Sequence, residues 1–215
     1  MALTRRDREG EQWMNGGDMG YLTAAERHSR IVEAATRVIV RDGLAAATTR
    51  RIANEAGVNL AALHYSFKSK DEIYAAVDDT LRASIIGSDP EPAEARTCQE
   101  ITRLLISRFQ HLLRTDRETA TAQYELLLWA LRTPHKVQLA ASSYQSFISA
   151  FADKLEHATD AGGRDVTLLA RYTVGAIDGI YVQTLATGTD GVSESELDAI
   201  SRAIVDIADA VKPLQ

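Results

Sequence analysis

The stretch from Ala47 to Phe67 reads ATTRRIANEAGVNLAALHYSF: a short apolar-periodic run, a glycine-centred break and a second short run. This is the grammar of two helices joined by a tight turn. Thr48 offers a side-chain oxygen to the first helical amides, and Ile52, Ala53 and Ala56 share one face. Gly57 stands where a left-handed turn suits a residue without a Cβ. Val58 and Leu63 are expected to bury against the preceding helix, whose apolar stripe holds Ile31, Ala35 and Val38.

Outward from this stretch, the pattern Ser/Thr-x-x-Glu recurs five times: Thr23 with Glu26, Ser69 with Glu72, Thr97 with Glu100, Thr115 with Glu118, and Ser193 with Glu196. Such pairs satisfy free amides at a helix start. Gly43, Gly57, Gly87, Gly162 and Gly188 follow periodic segments as stops. Strand-like alternation is nearly absent, so the spacing predicts an all-α chain of about nine helices, at about 24–42, 49–56, 59–66, 70–86, 97–114, 116–132, 135–158, 165–187 and 194–211. The first helices are short and the later ones long, which predicts a three-helix helix-turn-helix head over 23–69 and a larger helical bundle over 70–215. A polar, flexible tail is expected over 1–22, and the acidic, proline-rich stretch 88–94 reads as a connection.

The chain of 215 residues is 45% apolar, yet charges interrupt every apolar run, so no membrane span is expected. No secretory signal is apparent and a cytoplasmic location is expected. The single cysteine, Cys98, has no partner for a disulfide or thiolate metal site and reads as a small apolar residue at a helix start. Neither metal nor cofactor is expected. Net charge is −6, but residues 20–73 hold eight Lys or Arg against six Asp or Glu, so this segment is +2 and the remainder −8. The head is thus the part suited to phosphate.

In a helix-turn-helix the start of the second helix enters the major groove while its neighbour touches the backbone. Asn59, Leu60, Ala61, Ala62 and His64 are the expected base-facing set. Ala61 and Ala62 allow close approach and contact with thymine methyls, while Asn59 and His64 exchange hydrogen bonds with base edges. Arg50 reaches a guanine edge or a phosphate. Thr48, Thr49, Tyr65, Ser66 and Lys70 are expected along the backbone, with the helix opening at Lys70 adding free amides. Phe67 reads as a packing aromatic.

The segment TTRRIANEAGVNLAALHYSFKSKDEIY, Thr48 to Tyr74, together with the amphipathic helix before it, resembles the tetracycline-repressor (TetR) family. The resemblance implies that Asn59 to Tyr65 lie in or beside the groove and that Lys70 contacts phosphate. Positions 61, 62 and 64 depart from the Gly, Ser or Thr, and Tyr frequent there, which bears on the operator sequence rather than the fold. The resemblance further implies an effector pocket in the body and a four-helix dimer interface built by the last two helices of each subunit.

Residues 165–211 fit that homodimer role. Val166, Leu169, Thr173, Ala176, Ile177, Ile180 and Thr184, then Leu197, Ile200, Ile204, Ile207 and Val211, form long stripes, with Gly175, Ala176 and Gly179 suited to close packing. A two-fold dimer presents two heads to palindromic double-stranded operator DNA, roughly 34 Å apart or a longer groove repeat. Phe109, His111, Tyr124, Trp129, Tyr144, Phe147, Tyr172 and Tyr181 are the expected lining for an unknown small-molecule effector. The helix from Lys70 is the expected lever between head and body, and Ile73→Ala is expected to uncouple effector from DNA. No phosphate cradle, nucleophile elbow or His-x-x-x-His pair points to an enzyme. A helical adaptor without DNA binding is the alternative, and it leaves the spacing from Thr48 to Lys70 unexplained.

Overall fold

The computed structural model describes residues 23–87 and 96–211; the expected tail and the 88–94 connection lie outside them. Nine α-helices run among the described residues: α1 Ala24–Asp42, α2 Thr49–Ala56, α3 Leu60–Ser66, α4 Lys70–Gly87, α5 Cys98–Thr115, α6 Arg117–Arg132, α7 Val137–Glu156, α8 Val166–Thr187 and α9 Glu194–Ala210. A single 3₁₀ turn, Leu44–Ala46, joins α1 to α2.

Caps explain most boundaries. Complete capping boxes start α1, α5 and α9, where Thr23, Thr97 and Ser193 each pair with the glutamate three residues on. At α4 Ser69 Oγ accepts the Glu72 amide at 3.2 Å, but the Glu72 carboxylate accepts from Lys68 N instead, at 2.7 Å. The box expected at Thr115 does not form. Asp116 caps α6 by accepting from Thr119 N at 3.0 Å, and Thr115 is the last residue of α5, its hydroxyl donating back to His111 O. A carboxylate one residue nearer the helix is the stronger acceptor for those amides. Helix α7 begins at Val137 rather than 135 because His135 holds a left-handed backbone, φ 66°, which no right-handed helix accommodates. Likewise α7 stops at Glu156, and Gly162 is not its stop.

The head core gathers Ile31, Ala34, Ala35, Val38 and Ile39 of α1, Ile52 and Ala56 of α2, and Leu63 of α3, all essentially without exposure. Burying each branched side chain contributes about 1.5–3 kcal/mol. This core does not close on itself. Ile73, Tyr74, Val77 and Leu81 of α4 and Ala122 and Leu126 of α6 complete it. The tyrosine also donates to Leu44 O at 3.0 Å, and Glu125 of α6 accepts Leu44 N at 2.6 Å. Head and body are therefore wedged together by α4 and α6. Ile73 is a structural member of the head core, so its truncation damages the head instead of isolating a lever.

The second core lies in the body, where α7 runs along α8 and α5 packs on α8 and α9. Cys98 begins α5 fully buried in it, and burial pushes its thiol above the usual cysteine range. No helix among the described residues is long and apolar enough to cross a membrane.

Candidate nucleic-acid interface and effector cavity

Gly57 closes α2 in the left-handed conformation, φ 64° and ψ 32°, and the Val58 amide returns to Ala53 O at 3.0 Å. Asn59 then starts α3, its side-chain oxygen accepting from Ala62 N at 2.8 Å. Because Leu63 is driven into the core, the opposite face of α3 is solvent-exposed and carries Ala61, His64 and Tyr65. Tyr65 is 81% exposed, an unusual position for a ring of that size.

The remaining expected residues divide. Leu60 turns inward against the head core and does not join the exposed face, because it precedes Leu63 and Phe67 on the buried side. Asn59 spends its oxygen on the cap, which leaves the amide NH₂ for a base. Ala62 is half-buried behind Ala61, and Ser66 donates back to Ala62 O at 3.1 Å. Thr48 caps α2 by accepting from Arg51 N, and Thr49 is half-buried beside it. Phe67 is buried and stacks on His28, ring centroids 4.4 Å apart.

The arginines divide as well. Arg51 pairs with Asp42 at 2.7 Å, while Arg37 and Arg41 hold Glu55. Hydrogen bonds from those two arginines keep the Glu55 carboxyl below the usual carboxylate range. Arg50 is exposed and makes no ion pair or hydrogen bond among the described residues. Lys70 is exposed too, its Nζ 5.0 Å from the Tyr74 ring centre. The α4 start is less electropositive than expected, since Asp71 and Glu72 occupy its first turn. Arg50→Ala is therefore expected to weaken DNA binding several-fold and to lower the salt slope by about one, whereas Arg51→Ala leaves the slope nearly unchanged; paired salt titrations check this.

In the body, two chambers share the rings of Phe109 and Phe151. The inner one, about 60 Å³, is lined by Tyr124, Tyr144, Phe147, Asp78 and Asp178, among others. Tyr124 and Tyr144 both donate to Asp178, at 2.6 and 2.8 Å. Burial, then the bond to Asp178, raises both phenols far above the ordinary tyrosine range, so they stay neutral donors. Asp78 of α4 is buried, accepting from Arg82 at 2.9 Å and Ser143 at 3.2 Å; burial pushes its carboxyl up, against the pull of Arg82. The outer chamber, about 510 Å³, lies between the end of α4 and α5, with His111, Arg108 and Lys154 among its walls.

Of the expected lining, Phe109, Tyr124, Tyr144 and Phe147 meet at the inner chamber and His111 at the outer. Trp129, Tyr172 and Tyr181 line neither chamber. Trp129 packs edge-on against Tyr74 at 5.0 Å in the head–body wedge, and Tyr172 lies half-buried against the body core under Arg171. Tyr181 is buried behind Tyr124, stacked at 4.4 Å, with no partner for its hydroxyl among the described residues. The two aspartates went unnoticed in the sequence. Asp178 had a signal: with Arg171 it is one of two charges in the 22-residue α8, and it sits within a turn of buried Val174, Ile177 and Tyr181.

The family model for bacterial regulatory proteins of the tetR family matches residues 31–77, and that for the tetracyclin repressor-like C-terminal domain matches residues 96–207. The chain belongs to the TetR family. Among TetR relatives, the HTH-type nicotine-responsive transcriptional repressor HdnoR of Paenarthrobacter nicotinovorans is 28% identical over 188 residues, 86% of this chain and 97% of that one. The fatty acid metabolism regulator protein of Bacillus subtilis (strain 168) is 24% identical over 184 residues, 84% and 93% of the two chains. The crystal structure of multidrug binding protein EbrR complexed with ethidium aligns at 29% identity and a TM-score of 0.65, covering 83% of this chain and 98% of that one. The second TetR match runs from α5 nearly to the end of α9, so the likeness embraces the cavity-bearing body as well as the head.

Proposed function

We propose that this TetR-family chain is a cytoplasmic repressor that binds palindromic operator DNA as a homodimer and lets go when a small molecule occupies its body. Residues 23–69 read the DNA and residues 70–215 hold the effector and the partner subunit. The observation that carries the DNA-binding part is the exposed face of α3, Ala61, His64 and Tyr65, flanked by unpaired Arg50 and by Lys70. The ligand response draws support from a nicotine-responsive relative and an ethidium complex of a similar protein.

The dimer surface differs in detail from the stripes read in the sequence. Leu169, Thr173, Ile177, Thr184, Leu197 and Ile204 are consumed inside the subunit. The faces left open on α8 and α9 present Val182 and Ile207, each 52% exposed, with Val211 just beyond α9 at 42%, and among the described residues nothing stands within 4 Å of a Cβ built on Gly175 or Gly179. Close helix approach by a second copy fits that surface.

Effector and operator communicate through α4, which carries Lys70 at one end, Tyr74 in the head core and Asp78 at the inner chamber. A ligand that prefers one setting of α4 shifts the spacing of the two heads by no more than its differential affinity allows. Selection of genomic fragments on the purified protein tests the proposal: a palindrome bound by two chains is the expected result, and absence of sequence enrichment overturns it.

A further inference from the structure

We infer that the inner chamber receives the positively charged head of a lipophilic amine or quaternary ammonium compound, with Asp178 as its counter-charge. This rests on the effector-cavity reading above and deepens it. Asp178 is bonded only to two neutral phenols among the described residues, so its negative charge is oriented but not cancelled. Asp78, also in its wall, adds a second carboxylate, already held by Arg82 and Ser143. Among the described residues no Lys, Arg or His lines the inner chamber. Gln123, also in its wall, has a buried side-chain oxygen with no hydrogen-bond partner among the described residues. The walls thus offer a carboxylate, an orphan acceptor and Tyr and Phe rings, the combination that attracts organic cations. A carboxylate or phosphate seated there meets like charge instead.

Size refines the class. About 60 Å³ holds a compact head and not a whole drug-sized molecule. The apolar body of such a ligand passes Phe109 and Phe151 into the outer chamber, against Leu81, Ile85 and Leu112. Arg108 and Lys154 line that outer space together with Asp116, so cationic side chains enter the walls at the outer chamber. An anionic amphiphile seated there is the competing outcome.

Isothermal titration of the full chain with decyltrimethylammonium and with decanoate, below their micelle concentrations, separates the cases, because the tails match and the heads are opposite in charge. Wild type is expected to bind the cation about tenfold or more tightly than decanoate, Asp178→Asn to lose about tenfold in cation affinity, and Asp178→Glu to keep the preference. Circular dichroism and operator binding report whether each variant folds, and the wild-type preference decides the matter if Asp178→Asn does not. Preference for decanoate, or undiminished cation binding by folded Asp178→Asn, overturns the charge assignment and leaves the effector cavity standing. Binding of neither probe overturns both.

Discussion

Leu126→Ala is expected to lower stability by about 3 kcal/mol and to weaken DNA binding with it, although Leu126 belongs to the body helix α6. Its side chain is 2% exposed and sits in the core built by α1, α2, α3 and α4. The cavity left by truncation opens beneath the head, where Tyr74 and Glu125 also bind the Leu44 backbone. Leu128, two residues on and 55% exposed, supplies the control: Leu128→Ala should fall within about 0.5 kcal/mol of wild type in the isolated subunit. Denaturant titration checks both. A loss below about 1 kcal/mol for Leu126→Ala, or separate head and body transitions, contradicts a shared core.

Ala61→Glu is expected to leave stability within about 0.5 kcal/mol of wild type while reducing operator affinity about a hundredfold or more. Ala61 is exposed on α3, a glutamate is well tolerated by a helix, and nothing of the subunit crowds the site. Against DNA the new carboxylate meets both the groove wall and the phosphate charge. Mobility shift together with thermal melting checks the prediction. Unchanged affinity would mean that α3 does not face the groove, whatever Tyr65 does beside it.

What the sequence disclosed follows the range of the forces involved. Helix starts at Thr23, Thr97 and Ser193 were legible because a cap is made by residues three apart. The start of α6 was misplaced by one residue since Thr115 and Asp116 can both cap, and only the carboxylate does. The delayed start of α7 comes from a turn closed by Lys136 N on Thr133 O, in which Pro134 precedes the left-handed His135; Pro134 was the signal in the sequence. The head's exposed face was readable from the apolar period of α3, but the inward turn of Leu60 and the capture of Arg51 by Asp42 are tertiary facts. In the body, an aromatic that lines a chamber and one that fills a core have the same sequence signature, so Tyr124 and Trp129 looked alike. Of the polar residues that give the chamber its character, Asp178 was visible as a charge in the otherwise apolar α8, whereas Asp78 is one of several charges on α4 and only its burial sets it apart.

Those particulars describe a TetR-family chain whose helix-turn-helix head shares one core with α4 and α6 of its body. The proposed function stands on sequence-specific DNA binding through the face of α3 and Arg50 beside it. The most direct measurement is fluorescence anisotropy with a selected genomic palindrome and a scrambled duplex of the same composition, titrated at several salt concentrations. Specific binding is expected to exceed non-specific binding by about a thousandfold or more and to weaken steeply with salt. Equal affinity for the two duplexes, or binding indifferent to salt, would contradict the account.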